Sequence, residues 1–213
     1  MNDSSPLSTV CRLPSTWDER YAAFGAEDRR EPSPFVAACL PRLPRQGYAL
    51  DIAAGAGRHS LALAQHGLRV DAVDRSRQGL YLAKQRAIEA GLEPGKNLCL
   101  IVADLERPWL PRRDYDVILV SFFLCRPLFP MIKAQLRPGG WLVYETLTIH
   151  QTFGPDRQPA RPDFLLQPQE LKDAFADFEL VFYDEVNQNQ RATAQLLARK
   201  VVVSEQLPVI SGQ

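Results

Sequence analysis

The residues able to do chemistry sit in one short stretch and two outlying acids. The stretch is Asp51-Ile52-Ala53-Ala54-Gly55-Ala56-Gly57-Arg58, which ends an apolar run and leads straight into a helical pattern. Glycines at 55 and 57 let the backbone turn tightly and leave amides and carbonyls facing whatever lies over the strand end. On its own a Gly-x-Gly marks little more than a tight strand-to-helix turn. Asp74 closes the next apolar run, about twenty residues on, where a carboxylate accepts hydrogen bonds from a ribose diol. Asp104 closes a third run, at a place suited to an adenine amino group. A lone aspartate at a strand end is ordinarily a cap or turn residue. Three of them beside a glycine loop imply a nucleoside-containing ligand.

A dinucleotide needs a third small residue and bare amides at the helix start. Here Arg58, His59 and Ser60 fill that turn. Asp51 would repel a phosphate and suits a positive group such as the ammonium of a methionine moiety. The residues therefore favour S-adenosylmethionine over NAD(P), with a nicotinamide-dependent oxidoreductase as the competing reading.

These positions need a scaffold that brings strand ends to one edge. From residue 48 on, apolar runs too short for helices alternate with amphipathic stretches of helical length, the pattern of a parallel sheet. Strands are expected over 48–54, 68–73, 98–103, 115–121 and 141–147, and helices over 58–66, from 76 or 77 to 90, and over 128–136. Gly67 and Gly91 stand where helices end. Residues 115–121 are almost continuously apolar, as in a strand covered on both faces. Prolines at 155, 159, 162 and 168 mark an irregular stretch before a helix start at Pro168-Gln169-Glu170. Two last strands, 178–186 and 192–203, are separated only by Asn187-Gln188-Asn189-Gln190-Arg191. A helical crossover takes roughly ten residues or more, so this pair is antiparallel.

The fold class expected is therefore a doubly wound α/β domain, Rossmann-like, with a mostly parallel seven-stranded sheet and a C-terminal antiparallel hairpin. Residues 46–205 form that domain and 206–213 a tail. Residues 1–45, with Trp17, Tyr21 and Phe24 spaced i, i+4, i+7, read as a helical flap.

The chain resembles the class I S-adenosylmethionine-dependent methyltransferases. The resemblance spans about residues 48 to 203 and rests on the Asp-x-x-x-Gly-x-Gly loop (Asp51, Gly55, Gly57), Asp74, Asp104, the Leu136-Arg137-Pro138-Gly139-Gly140 turn and the terminal hairpin. The segments Gly55-Ala56-Gly57-Arg58-His59-Ser60-Leu61, Trp17-Asp18-Glu19-Arg20-Tyr21 and Ala194-Gln195-Leu196-Leu197-Ala198-Arg199-Lys200 look like the small-molecule branch that includes tellurite-resistance and thiopurine methyltransferases. The sequence departs from that branch at His59, where Asn is usual, and at Ala54, where Cys is common. The resemblance implies Asp51 and the 53 to 57 backbone, with Ala53, Gly55 and Gly57, about the methionine part of the cofactor, and Arg58 is a further cofactor-binding candidate. The resemblance also implies Asp74 and Arg75 at the ribose, Asp104 and Leu105 at the adenine, and Ser121 and Phe122 near the sulfonium.

Methyl transfer from a sulfonium is an in-line displacement with a good neutral leaving group, so alignment and exclusion of water matter most and a base is optional. The stretch Ser121-Phe122-Phe123-Leu124-Cys125 lacks the Asn/Asp-Pro-Pro-Tyr/Phe that aligns planar nitrogens in this fold, which disfavours DNA-adenine or glutamine methylation. Glu145 and His150, at and just past the end of a strand, are the candidate catalytic groups. Arg157 and Arg161 are candidates for capturing an anionic substrate. A non-catalytic S-adenosylmethionine-binding module is the remaining alternative.

The rest of the composition narrows partners. The chain has 213 residues, 25 basic and 25 acidic side chains, and a net charge of zero. A neutral surface lacks the phosphate-neutralising field on which nucleic-acid binding draws, so a small-molecule acceptor and no nucleic acid are expected. No apolar run approaches the ~20 residues that span a bilayer, and Met1-Asn2-Asp3-Ser4-Ser5 has no signal-peptide character, so no membrane partner and a cytoplasmic address are expected. Cysteines at 11, 39, 99 and 125 form no C-x-x-C and read as small buried hydrophobes. The three histidines are scattered, and no metal site is expected. Nothing in the sequence fixes a number of subunits.

Overall fold

Seven runs of residues with alternating or continuous apolar character pair into one sheet: β1 (Tyr48–Ile52), β2 (Arg69–Asp74), β3 (Leu98–Val102), β4 (Tyr115–Ser121), β5 (Leu136–Leu147), β6 (Phe178–Gln188) and β7 (Arg191–Lys200). The computed structural model describes residues 17–23, 31–152, 162–188 and 191–202. Among the described residues six α-helices accompany the sheet: α1 (Trp17–Ala23), α2 (Pro34–Cys39), α3 (Arg58–His66), α4 (Arg77–Glu89), α5 (Phe129–Gln135) and α6 (Glu170–Ala174).

The strand order is β3-β2-β1-β4-β5-β7-β6. β1 to β5 pair in parallel, and β7 slots between β5 and β6, antiparallel to both. The chain winds outward from β1 through β2 to β3, then returns to start the other half at β4. That reversal opens a crevice above the carboxyl ends of β1 and β4, the place where ligands bind in open α/β sheets.

Because side chains alternate along each strand, the sheet feeds two cores. Ala49, Val117, Leu119, Val143 and Leu197 face α2 and α3, meeting Val36, Leu63 and Ala64. Leu50, Ile118, Tyr144 and Leu196 face α5 and α6, meeting Ile132, Leu171 and Phe175. Each fully buried Val, Leu, Ile or Phe among these contributes about 1.5–3 kcal/mol by removal from water. The same alternation puts Asp51, Ser121, Glu145 and Gln195 on the α2 and α3 side of the sheet.

The doubly wound sheet with its antiparallel close is the one expected. The boundaries differ in ways the packing explains. β5 starts at Leu136, not at 141, because Leu136 pairs with Tyr115 across a register shift. Gly139 takes φ +77° within that break. The expected helix over 128–136 is a 3₁₀ turn (Arg126–Leu128) followed by α5, which stops where Leu136 turns extended. α2 was not foreseen, although Ser33-Pro34 is a cap-then-proline start and the Ser33 hydroxyl does accept from the Val36 amide at 3.3 Å. Within residues 1–45, α2 buries Phe35, Val36 and Cys39 in the same core as α3, whereas α1 buries no residue of its own. Phe24, Arg157 and Arg161 lie outside the described residues.

One cysteine reading is corrected. Cys99 is exposed on β3, a strand at the edge of the sheet, while Cys39 is buried and Cys125 half-buried; Cys11 lies outside the described residues. Among the described residues no helix is long and apolar enough to cross a membrane, and no cluster of three potential ligands could hold a metal ion.

Candidate functional site

Backbone strain marks the crevice. Ala53, just past β1, has φ +60°, and Phe122, just past β4, has φ +54°. Left-handed geometry at a non-glycine residue costs on the order of 1–2 kcal/mol and persists only where surroundings enforce it. Two of the three such residues in the described chain stand at the ends of the neighbouring strands β1 and β4.

The loop between them is built for close approach. Gly55 (φ +56°) and Gly57 (φ +79°) complete its curl into α3. Asp74 locks the loop from β2: one carboxylate oxygen accepts from the Gly55 amide at 2.7 Å, the other from the Ser76 amide at 2.7 Å. Arg86, buried on α4, donates to the Ala56 carbonyl at 3.1 Å. The loop is thus clamped from β2 and from α4.

Asp51 lies beneath it, 1% exposed, and accepts from the Ser60 hydroxyl at 2.5 Å. Burial pushes its carboxyl up to about 7, with the Asp74 charge adding to the rise and Ser60 and Arg58 opposing it. Burial also raises Asp74, against the two amides that hold it. Asp51 and Asp74 are therefore electrostatic neighbours. A cationic group placed over the loop would favour the ionised form of both.

The third acid stands apart. Asp104 is exposed and accepts from the Glu106 amide at 3.2 Å, a local turn contact. Arg75, also exposed, pairs with Glu106 at 2.8 Å across the rim between β2 and β3. Leu105 between them is 4% exposed and belongs to the α5 and α6 core. The structure so brings Asp51, Ala53, Gly55, Gly57 and Asp74 together and leaves Asp104 and Arg75 on the outer edge.

Across the crevice, Ser121 and Glu145 are register partners at the ends of β4 and β5, and Glu145 and Gln195 are partners on β5 and β7. Glu145 Oε1 accepts from Gln195 at 3.1 Å. Glu145 Oε2 and Ser121 Oγ are buried and have no hydrogen-bond partner among the described residues. The Phe122 ring lies beside both the Arg58 guanidinium, 5.8 Å from its centroid, and that of Arg191, at 4.9 Å. His150 is exposed in the turn after β5, so the structure does not bring it together with Glu145 in the buried row.

Tyr21, read in the helical pattern of the flap, meets the loop, while the anchor of that helix at Asp18 and the close packing at Gly79 were not foreseen. α1 lies on the loop: a first side-chain carbon at Gly55 would come within 2.1 Å of the Tyr21 hydroxyl, and one at Gly79 within 3.0 Å of its ring. Asp18 fastens α1 to the start of α4, accepting from the Ser76 hydroxyl at 2.5 Å and the Gln78 amide at 3.0 Å. A glycine in the first turn of α4 was the available signal, since helices rarely spend a glycine without a close neighbour.

His59 was read only as crowding. It is 4% exposed, and its Nε2 accepts from the Ser33 amide at 3.2 Å, tying α2 to α3. Burial, with Arg58 beside it, pulls its imidazole down from 6.5 to about 3. A group so depressed stabilises the fold fully above 6.5 and loses that contribution as pH falls toward 3. Asp51 runs the other way: raised from 3.8 to about 7, it stabilises fully below 3.8 and loses this as pH rises through 7. The two offset one another across mildly acidic pH. His59→Asn removes one side of the balance. In urea denaturation, its stability change from pH 7 to pH 5 should exceed the parent's by about 2 kcal/mol, at ~1.4 kcal/mol per pH unit below 6.5. An identical pH dependence in parent and variant would show that His59 is not held neutral.

The architecture is the α/β fold of class I S-adenosylmethionine-dependent methyltransferases. Residues 49–140 match the family of methyltransferase domains. The probable cobalt-precorrin-6B C(15)-methyltransferase (decarboxylating) of Methanothermobacter thermautotrophicus is 26% identical over 117 residues, 54% of this chain; the match covers 60% of that protein. TehB from Haemophilus influenzae shares the fold with a TM-score of 0.64 at 20% identity, over 78% of this chain and 61% of its own. Magnesium protoporphyrin IX methyltransferase from Synechocystis, solved with bound S-adenosylhomocysteine, superposes with a TM-score of 0.60 at 17% identity, over 78% and 80%. The chain spans about three fifths of the length of the first two of these relatives.

Proposed function

We propose that this chain is an S-adenosylmethionine-dependent methyltransferase that acts on a small-molecule acceptor by in-line displacement. The observation that carries the reading is the strained, doubly clamped loop at the point where strand order reverses, with unpartnered buried polar atoms across the crevice from it. Two relatives are named for methylating cobalt-precorrin-6B and magnesium protoporphyrin IX, and the neutral charge of this chain supports a partner other than nucleic acid.

In this reading the backbone from 53 to 57, Asp51 and Arg58 hold the methionine end of the cofactor. Asp51 compensates its ammonium and Arg58 shields Asp51. Asp74 keeps unused lone pairs for the ribose while its amide bonds fix the loop, with Arg75 beside it. Asp104 and Leu105 flank the adenine, and Ser121 and Phe122 border the sulfonium. The cofactor supplies an electrophilic methyl group on a good leaving group; the protein aligns, desolvates and receives a proton. Residues 1–45 serve as a flap through α1, whose Tyr21 lies on the loop, and residues 46–205 as the catalytic unit.

Calorimetry with S-adenosylhomocysteine tests this directly. Binding with a heat signal is expected, along with thermal stabilisation of about 2.7 kcal/mol at a hundredfold excess over the dissociation constant, and none with NADH. Release of S-adenosylhomocysteine over thiols, oxyanions, amines and phenols then separates an enzyme from a binding module. Stabilisation by NADH alone would sink the proposal.

A further inference from the structure

The unpartnered atoms beyond the cofactor loop point to the acceptor. Glu145 is 4% and Ser121 9% exposed, and they are register neighbours on parallel strands, so their side chains leave the same face about 5 Å apart. Neither Glu145 Oε2 nor Ser121 Oγ bonds to the other or to anything else among the described residues. A buried polar atom left unpaired costs on the order of 1–3 kcal/mol, so two of them on neighbouring strands of one sheet face describe a place for a group that donates to one and bonds the other. Gln195, donating to Glu145 Oε1, fixes the carboxylate with Oε2 left available.

A positive group stands near this pair. Arg191 lies on the same face of β7 as Gln195, four residues earlier, and its exposed guanidinium reaches back to the ring of Phe122, the residue that follows Ser121. A guanidinium held on an aromatic ring keeps its donors free for a planar anion. Phe122, half-buried just past the end of β4, carries this guanidinium.

We propose that the acceptor is a small acid carrying a protic nucleophile, its anionic group held by Arg191 and its O–H or S–H placed between Ser121 and Glu145. This rests on the methyltransferase reading and adds the chemical class of the second substrate. As the acceptor-to-methyl bond forms, the sulfur-to-methyl bond breaks and leaves a neutral thioether; the acceptor proton passes to Glu145 Oε2. A sulfonium and a carboxylate thus become a thioether and a carboxylic acid, and charge balances without a further reagent.

The test pairs acids with their neutral esters: 4-hydroxybenzoate against its methyl ester, and 3-mercaptopropionate against its methyl ester. S-adenosylhomocysteine affinity is measured first on the full chain; its absence overturns the methyltransferase reading, not this one. With that affinity present, an acid of each class should bind the S-adenosylhomocysteine complex in calorimetry at least tenfold more tightly than its ester, and at least one acid should be methylated. Arg191→Gln should abolish the preference for the acid. Glu145→Gln should lower kcat at least a hundredfold while leaving S-adenosylhomocysteine affinity within twofold, which also reports that the variant is folded. Esters binding as well as acids, no acid binding at all, or full turnover in Glu145→Gln would each overturn the proposal.

Discussion

Asp74→Ala is expected to weaken binding of S-adenosylhomocysteine between ten- and a hundredfold while the protein stays folded. The side chain is 7% exposed and accepts two backbone amides at 2.7 Å, one from the loop and one from the turn into α4. Charge-assisted bonds of this kind contribute about 1.5–3 kcal/mol each. Removing the carboxylate leaves the Gly55 amide without its acceptor just where the loop curls, and removes the group proposed to hold the ribose. A loss of about 1.5–3 kcal/mol in binding corresponds to that range of affinity. Asp74→Asn separates the contributions, because its single carbonyl can serve one amide but not both. It should fall between parent and alanine in calorimetry, with a smaller loss in urea denaturation. An unchanged dissociation constant in folded Asp74→Ala would remove this acid from the cofactor site.

The parts of this site visible in the sequence are those set by local spacing. Asp51, Gly55 and Gly57 lie within one strand and one turn, and Asp74 follows one helix and one strand later, so counting along the chain suffices. The hairpin was legible for a similar reason, since a short polar link leaves no room for a crossover. Contacts between distant segments left no such trace. Arg86 reaches Ala56 from thirty positions away, and Gln195 orients Glu145 from fifty. His59 caps nothing in its own helix; its partner is the amide of Ser33 on the segment before β1. Phe122 takes a backbone conformation that residue type argues against, so only coordinates reveal it. Asp104 shows the converse limit: its position at a strand end fits the pattern, yet its carboxylate is occupied with its own turn and faces outward. Sequence position fixes the strand end; the solvent face and the partner of a side chain depend on the neighbours that tertiary packing brings.

The largest expected effect on stability belongs to Gly57→Ala. Gly57 joins the loop to α3 with φ +79°, and its carbonyl accepts from the Leu61 amide at 2.8 Å, the first bond of the helix. An added methyl group would lie 2.6 Å from the Cβ of Ala83 and 3.2 Å from its Cα, with Leu61 Cδ1 at 3.1 Å. Ala83 is buried on α4, so the clash can be relieved only by moving one helix against another. Left-handed strain of about 1–2 kcal/mol and overpacking of about 1–3 kcal/mol add to a loss of roughly 2–5 kcal/mol. Gly91→Ala is the matched control: its φ is +71°, yet nothing lies within 4 Å of the position, so only the backbone cost of about 1–2 kcal/mol remains. The excess of the first over the second, read from urea denaturation, isolates the steric contribution. Adding Ala83→Gly opens the space the new methyl group needs, and the double variant should recover about 1 kcal/mol relative to the sum of the single losses. Strict additivity would mean that α3 and α4 do not meet at Gly57, and the clamp on the glycine loop would have to be sought elsewhere.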